Sequence, residues 1–155
     1  MRGKLAEEIK QTRPFGSLEE EAILNIRRTA SVLDQIVAEA LRPSGLSNTQ
    51  YNVLRILRGA GSKGLACQEI AERMVTRDPD ITRLVDRLEA RKLFERTRSR
   101  EDRRVVVVRI TPAGSKLLSS LDSKVESLPQ RALGHLGRKR LRLLIALLEL
   151  ARNLS

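Results

Sequence analysis

The chain has 155 residues, a formal net charge of +11 and a pI near 10.9. That length fits one compact domain or one subunit of an oligomer, and that charge points to a polyanionic partner, nucleic acid or an anionic surface. Aromatic residues are only 2% of the chain, which argues against a ring-lined cofactor cage and against stacking platforms for single strands. The core must come from Leu, Ile, Val and Ala, which favours helices packed on helices; no cofactor is expected.

Residues 1–16 are polar up to Pro14 and Gly16 and read as a flexible N-terminal arm. Ser17 and Glu20 have the spacing of a capping box. From there apolar residues recur with a helical period through Ile23, Ile26, Leu33, Ile36, Val37 and Leu41. Pro43 and Gly45 close this helix, and its length of roughly 24 residues is twice the globular mean and suits subunit contact. Residues 17–45 are therefore assigned to a dimerisation helix.

Residues 46–111 read as one unit. Ser47 and Gln50 repeat the capping-box spacing and open a helix carrying Tyr51, Val53, Leu54 and Leu57. Gly59, Gly61 and Gly64 break it, and residues 64–66 have room for a very short strand. A brief helix over 67–74 follows, its Ala66 cap position lacking a side-chain acceptor. Asp78 before Pro79 is a favourable helix start, a capping carboxylate followed by proline where its missing N–H costs nothing. This next helix spans about 79–91, with Ile81, Leu84, Val85 and Leu88 on one face. Two strands over 93–98 and 105–110, the second β-branched, flank a polar turn.

Thr111 and Pro112 start the C-terminal part, 112–155, read as further dimerisation helices. Pro129 should kink or break the first of them, and Gly134 and Gly137 mark another break. The last helix, 138–153, is dense in leucine on more than one narrow stripe.

Charge follows this division. Residues 1–46 balance seven basic against seven acidic side chains, whereas 47–111 carry fifteen against nine and 112–155 eight against three. Arginine supplies 23 of the 30 basic residues, a choice that suits phosphate forks and base edges.

Three short helices followed by a hairpin form a winged-helix plan. On helix 79–91 the apolar face turns Asp80, Thr82, Arg83, Asp86 and Arg87 away from the core, with Arg83 and Arg87 one turn apart. Such a helix can enter a major groove, where Arg meets guanine and an acidic side chain such as Asp80 either accepts from cytosine or orients Arg83 or Arg77. The hairpin adds Arg98, Arg100, Asp102, Arg103 and Arg104, and residues 91–104 hold seven basic against three acidic side chains. Asp102 is close enough in sequence to hold the Arg104 guanidinium and aim it at a narrow minor groove, which attracts arginine. The plainer alternative is a solvated helix face and a surface turn stabilised by exposed ion pairs.

At these residues the chain resembles the MarR (multiple antibiotic resistance regulator) family of bacterial winged-helix regulators, over about residues 17–153. The most specific stretch is Thr82-Arg83-Leu84-Val85-Asp86-Arg87-Leu88-Glu89, continued by Asp102-Arg103-Arg104 and by Ile110-Thr111-Pro112-Ala113-Gly114. The resemblance implies a mainly α fold with a small β-hairpin wing, assembled as an intertwined helical homodimer. It implies recognition helices in successive major grooves of double-stranded DNA, with wing arginines in the flanking minor grooves. Arg104 would be the wing-tip arginine and Asp102 its orienting partner. Two-fold symmetry would match a pseudo-palindromic operator with half-sites about one helical turn apart. The function expected is that of a sequence-specific transcriptional regulator, a repressor. Many relatives answer to small phenolic or aromatic ligands, so a small-molecule effector is in keeping with the family. The family has glycine where Lys92 stands, so Lys92 either takes a left-handed conformation at some strain or the helix ends differently.

The competing reading is a low-specificity architectural nucleic-acid-binding protein using the same charge. A membrane-surface role for helix 138–153 is a weaker one. No phosphate loop, nucleophile–base set or metal cluster suggests an enzyme. His135 stands without partners at metal spacing. Cys67 is the lone cysteine and sits in the short helix near 67–74, not in the first helix where redox-sensing relatives carry theirs. Met1–Gln11 has no apolar core and no apolar run approaches the ~18–20 residues of a span, so no membrane and a cytoplasmic location are expected.

Overall fold

The computed structural model describes residues 3–76, 80–99 and 102–153. The chain divides into two compact units, one up to Ile36 and one from Val37 onward.

The first unit holds α1 (Lys4–Glu8) and most of α2 (Leu18–Leu41). Helix α1 lies inside the stretch read as a flexible arm, and it corrects that reading for residues 4–8. Leu5 and Ala6 are buried, and the helix closes with Lys10 in the left-handed region and Gln11 N–H donating to Ala6 O at 2.8 Å. Helix α2 begins as its sequence predicts, with Ser17 Oγ accepting from Glu20 N–H at 3.2 Å. The Glu20 carboxylate reaches back one residue further than a capping box, to Gly16 N–H at 2.6 Å. The helix is 24 residues long and buries only Leu41.

The second unit is built around α3 (Asn48–Ala60), α4 (Cys67–Arg73), α5 (Ile81–Ala90) and a hairpin of β1 (Phe94–Arg98) and β2 (Val106–Ile110). Both halves of the capping box are made at α3: Ser47 Oγ accepts from Gln50 N–H, and Gln50 Oε1 accepts from Ser47 N–H. At α4, where Ala66 offers no acceptor, half a box survives because Glu69 accepts from Ala66 N–H at 2.9 Å. Leu65 makes the expected short strand, a single antiparallel bridge to Val108 with bonds of 3.0 and 2.8 Å. Gly64 permits it: its φ is +68°, and a Cβ there would stand 2.6 Å from Val108 O. The hairpin is antiparallel with Phe94 opposite Ile110 and Arg98 opposite Val106. The core beneath is aliphatic, with Leu54, Leu57, Ile70, Leu88, Val108 and Leu118 fully buried.

Helix α6 (Pro112–Glu126) follows, then α7 (Leu128–Leu133) and α8 (Gly137–Arg152). The interruption between α6 and α7 falls at Ser127, two residues before Pro129. Proline lacks the N–H that would continue the ladder. Arg58 on α3 and Asp122 on α6 form a two-bond ion pair at 2.7 and 2.9 Å. Hydrogen bonding to Arg58 holds the Asp122 carboxyl below its usual range. Helix α8 buries none of its residues, and Leu143, Ile145, Leu147 and Leu150 are more than half exposed. No helix among the described residues is long and apolar enough to cross a membrane.

The end of α5 resolves the question at Lys92. Lys92 N–H donates to Glu89 O at 2.7 Å and Leu93 N–H to Leu88 O at 3.0 Å, the bond pair of a Schellman motif. Lys92 occupies its left-handed position with φ 58°. A left-handed L-residue costs roughly 1–2 kcal/mol, partly offset in a glycine variant by the greater freedom of its unfolded chain. Lys92→Gly is therefore expected to stabilise the fold by about 0.5–1 kcal/mol, read as a rise of a few degrees in Tm at fixed protein concentration. An unchanged or lower Tm would show that the lysine is not strained there.

Candidate nucleic-acid interface

Helix α5 starts later than its sequence suggests. Its N-cap is Asp80, whose carboxylate accepts from Arg83 N–H at 3.2 Å. Asp78 and Pro79, where the helix is expected to begin, lie outside the described residues, as do the candidate site residues Arg77 and Arg100. Asp80 also meets Arg83 Nε at 3.1 Å. Asp80 thus both caps α5 and orients Arg83. The turn before the helix is held to α3 by Asn52, which accepts from Val75 N–H at 3.1 Å.

With Leu84, Val85 and Leu88 buried, Thr82, Arg83, Asp86 and Arg87 are all exposed. The Arg83 side chain keeps 79% of its surface in solvent despite its ion pair. Arg98, at the end of β1, and Asp102, Arg103 and Arg104, in the turn, are exposed as well. Arg87, Arg98, Arg103 and Arg104 make no ion pair with any described residue. The helix and hairpin thus present arginines that pair with no described acid.

One expectation for the wing is corrected. Asp102 does not hold the Arg104 guanidinium. Its Oδ1 accepts instead from the Arg104 main-chain N–H at 2.9 Å, and Val105 N–H donates to Asp102 O at 3.0 Å. A carboxylate two residues back is well placed to close such a turn on the backbone. Asp102 therefore shapes the turn, and the Arg104 guanidinium is left to the solvent side.

Asp86, which the sequence only turns away from the core, has a structural partner. It pairs with Arg96 on β1, and Arg96 bonds Glu89 too through both its guanidinium and its main-chain N–H. These bonds, to Asp86 first, hold the guanidinium firmly in its charged form. They fasten the hairpin to α5. Arg109 fastens the other strand, donating to Ser62 O at 2.7 Å and to Thr97 Oγ1 at 2.5 Å. Neither arginine stands out in the sequence as a site residue. The signal for Arg96 is present in Asp86 and Glu89, two acids three apart on a helix otherwise bearing arginines.

Among the described residues no three His, Cys, Asp or Glu side chains gather as a metal site. The geometry instead offers an arginine-bearing helix face and an arginine-bearing hairpin, joined through Arg96.

Comparison with known proteins agrees with this geometry. Residues 46–106 match the family model described as MarR family. The HTH-type transcriptional repressor MdtR of Bacillus subtilis (strain 168) is 38% identical over 76 residues, 49% of this chain and 48% of that protein. The chain spans about half the length of the curated relatives it matches. Among solved structures, a MarR transcription factor from Planctomyces limnophilus is 46% identical, covering 88% of this chain and 98% of that one with a TM-score of 0.65. Bordetella bronchiseptica BpsR, whose DNA binding is regulated by 6-hydroxynicotinic acid, is 24% identical with a TM-score of 0.78 over 92% of this chain and 100% of that one. That level of identity speaks for the fold alone. The likeness at 46% identity and nearly full length decides the family, and the winged-helix architecture agrees with it: the chain belongs to the MarR family of transcription regulators.

Proposed function

We propose that the chain represses transcription by binding a pseudo-palindromic operator as a homodimer, with release by a small-molecule ligand. The observation that carries this reading is the set of exposed arginines on two linked elements, of which Arg87, Arg98, Arg103 and Arg104 pair with no described acid. Arg83 and Arg87 on α5 suit a major groove, with Thr82 beside them. Arg98, Arg103 and Arg104 on the hairpin suit phosphates and a minor groove. Arg77 and Arg100 belong to the same proposed surface by sequence.

Dimerisation is supported by apolar surface that one chain leaves uncovered. Leu143, Ile145, Leu147 and Leu150 on α8 are each 54–68% exposed. Leu143, Leu147 and Leu150 recur at the spacing of one helix face, and an uncovered apolar stripe of this kind suits an interface. The proposed division is thus a reading unit over 46–111, with 17–45 and 112–155 given to subunit contact. Repression is proposed by analogy with the repressor MdtR, and a ligand by analogy with BpsR, whose DNA binding 6-hydroxynicotinic acid regulates.

A salt titration tests the central claim. Duplexes selected by the protein from a random pool should bind about 10³-fold or more tighter than random duplex, with affinity falling steeply as salt rises. A ratio near one would overturn sequence-specific reading and leave architectural binding. Sedimentation should give a dimer, and Leu143→Glu with Leu147→Glu should shift it to monomer.

A further inference from the structure

The three residues after the recognition helix are bonded to both elements that flank the winged unit. Arg91 forks its guanidinium onto two successive carbonyls, Ser44 O at 2.9 Å and Gly45 O at 3.0 Å. Those carbonyls belong to the corner that directly follows α2, where Gly45 turns the chain with φ +65°. One residue later, Lys92 O accepts from Thr111 Oγ1 at 2.7 Å, and Leu93 O accepts from Thr111 N–H at 3.0 Å. Thr111 is the N-cap of α6. The end of α5 is therefore pinned to the corner that follows α2 on one side and to the N-cap of α6 on the other.

The rest of the reading unit hangs on this corner, because Arg96 ties the hairpin back to Asp86 and Glu89 of α5. A guanidinium fork bonded to two carbonyls fixes direction as well as distance, which a single bond does not. Arg91 is exposed and bonds no base-reading residue. Its geometry concerns where α5 stands relative to the end of α2 and the start of α6, and not which base α5 touches.

We infer that Arg91 is a positioning residue that sets which half-site spacing the dimer accepts, by fixing the recognition helix to the ends of the helices that pair the subunits. This rests on the proposed dimeric reading of two half-sites. Base preference within a half-site belongs to the exposed face of α5 and is independent of Arg91.

The test uses the duplex selected by the wild-type protein from a random pool, and variants with the spacer changed by one or two base pairs. Each added pair rotates the second half-site by about 34°, so wild-type affinity should fall about tenfold or more at two pairs. Arg91→Ala should flatten this profile to within about threefold while keeping the wild-type base preference inside each half-site. Arg91→Lys keeps the charge without the fork and should flatten it too. A residue with only a stabilising role would weaken every spacing alike and lower Tm, so a wild-type profile shape in both variants overturns the inference. Should Arg91→Ala fail to fold, Arg91→Lys decides by the same criterion. If the wild-type protein binds one half-site as tightly as two, the dimeric reading fails first, and that outcome is distinct from a retained spacing profile.

Discussion

Gly114→Ala is expected to destabilise the protein, although helix propensity alone predicts the reverse. Gly114 is the third residue of α6, where alanine is ordinarily favoured by about 1 kcal/mol. Here a Cβ would stand 2.3 Å from Leu93 O and 2.9 Å from Ile110 Cγ1. The nearer atom is backbone and cannot yield freely, because Leu93 O already accepts from Thr111 N–H at 3.0 Å. Overpacking of this kind costs roughly 1–3 kcal/mol or more, which outweighs the propensity gain. At about 2–4 °C per kcal/mol for a chain of this size, Tm should fall by several degrees at fixed protein concentration. A Tm equal to or above that of the wild type would show that α6 can draw back from the hairpin. The same close approach explains why the Thr111-Pro112-Ala113-Gly114 stretch is so specific. Threonine caps the helix through Gly114 N–H at 3.0 Å and bonds Lys92 O, and glycine lets the helix start lie against the corner at Leu93.

The parts of this molecule that are legible in the sequence are those decided by local chemistry. The Ser47 box, the Thr111 cap, the break near Pro129 and the hairpin all depend on residues within a few positions of one another. The left-handed Lys92 is legible only as a departure from a family pattern. The rest is either weakly encoded or long-range. Leu5 and Ala6 are too short an apolar signal to announce α1. The start of α5 is ambiguous because Asp78 and Asp80 are both good caps, and sequence favours the one followed by proline. Arg91, Arg96 and Arg109 carry the same side chain as the arginines proposed to face DNA. Their partners are Ser44, Gly45, Ser62 and Lys63 main chain and the acids of α5, and only the tertiary fold brings these within reach. Composition shows that there are many arginines, but it does not divide those left exposed, and proposed to read DNA, from those that fasten.

That division gives the last expected result, a contrast between Arg83→Ala and Arg104→Ala. Arg83 projects from the first turn of α5, steadied at Nε by Asp80 but four-fifths exposed. If its remaining donors take a guanine edge, removal should cost about 1–3 kcal/mol, roughly 5- to 150-fold, on the selected duplex and relax preference at one base position of each half-site. Arg83→Lys should not restore it, because an ammonium lacks the planar fork. Arg104 projects from a turn closed by Asp102, with no described carboxylate on its guanidinium. Removing Arg104 should weaken binding with little change in base preference. It should also lower the slope of log affinity against log salt by about 1 for each phosphate left without its arginine. Neither variant should move Tm by more than a degree or two, since each side chain is exposed and a surface ion pair contributes about 0–1 kcal/mol. Competition binding against single-base variants of the selected duplex, repeated across a salt series, separates the two. Equal loss of base preference in both variants would show that helix and wing do not divide the reading, and unchanged affinity in both would place the DNA on another face.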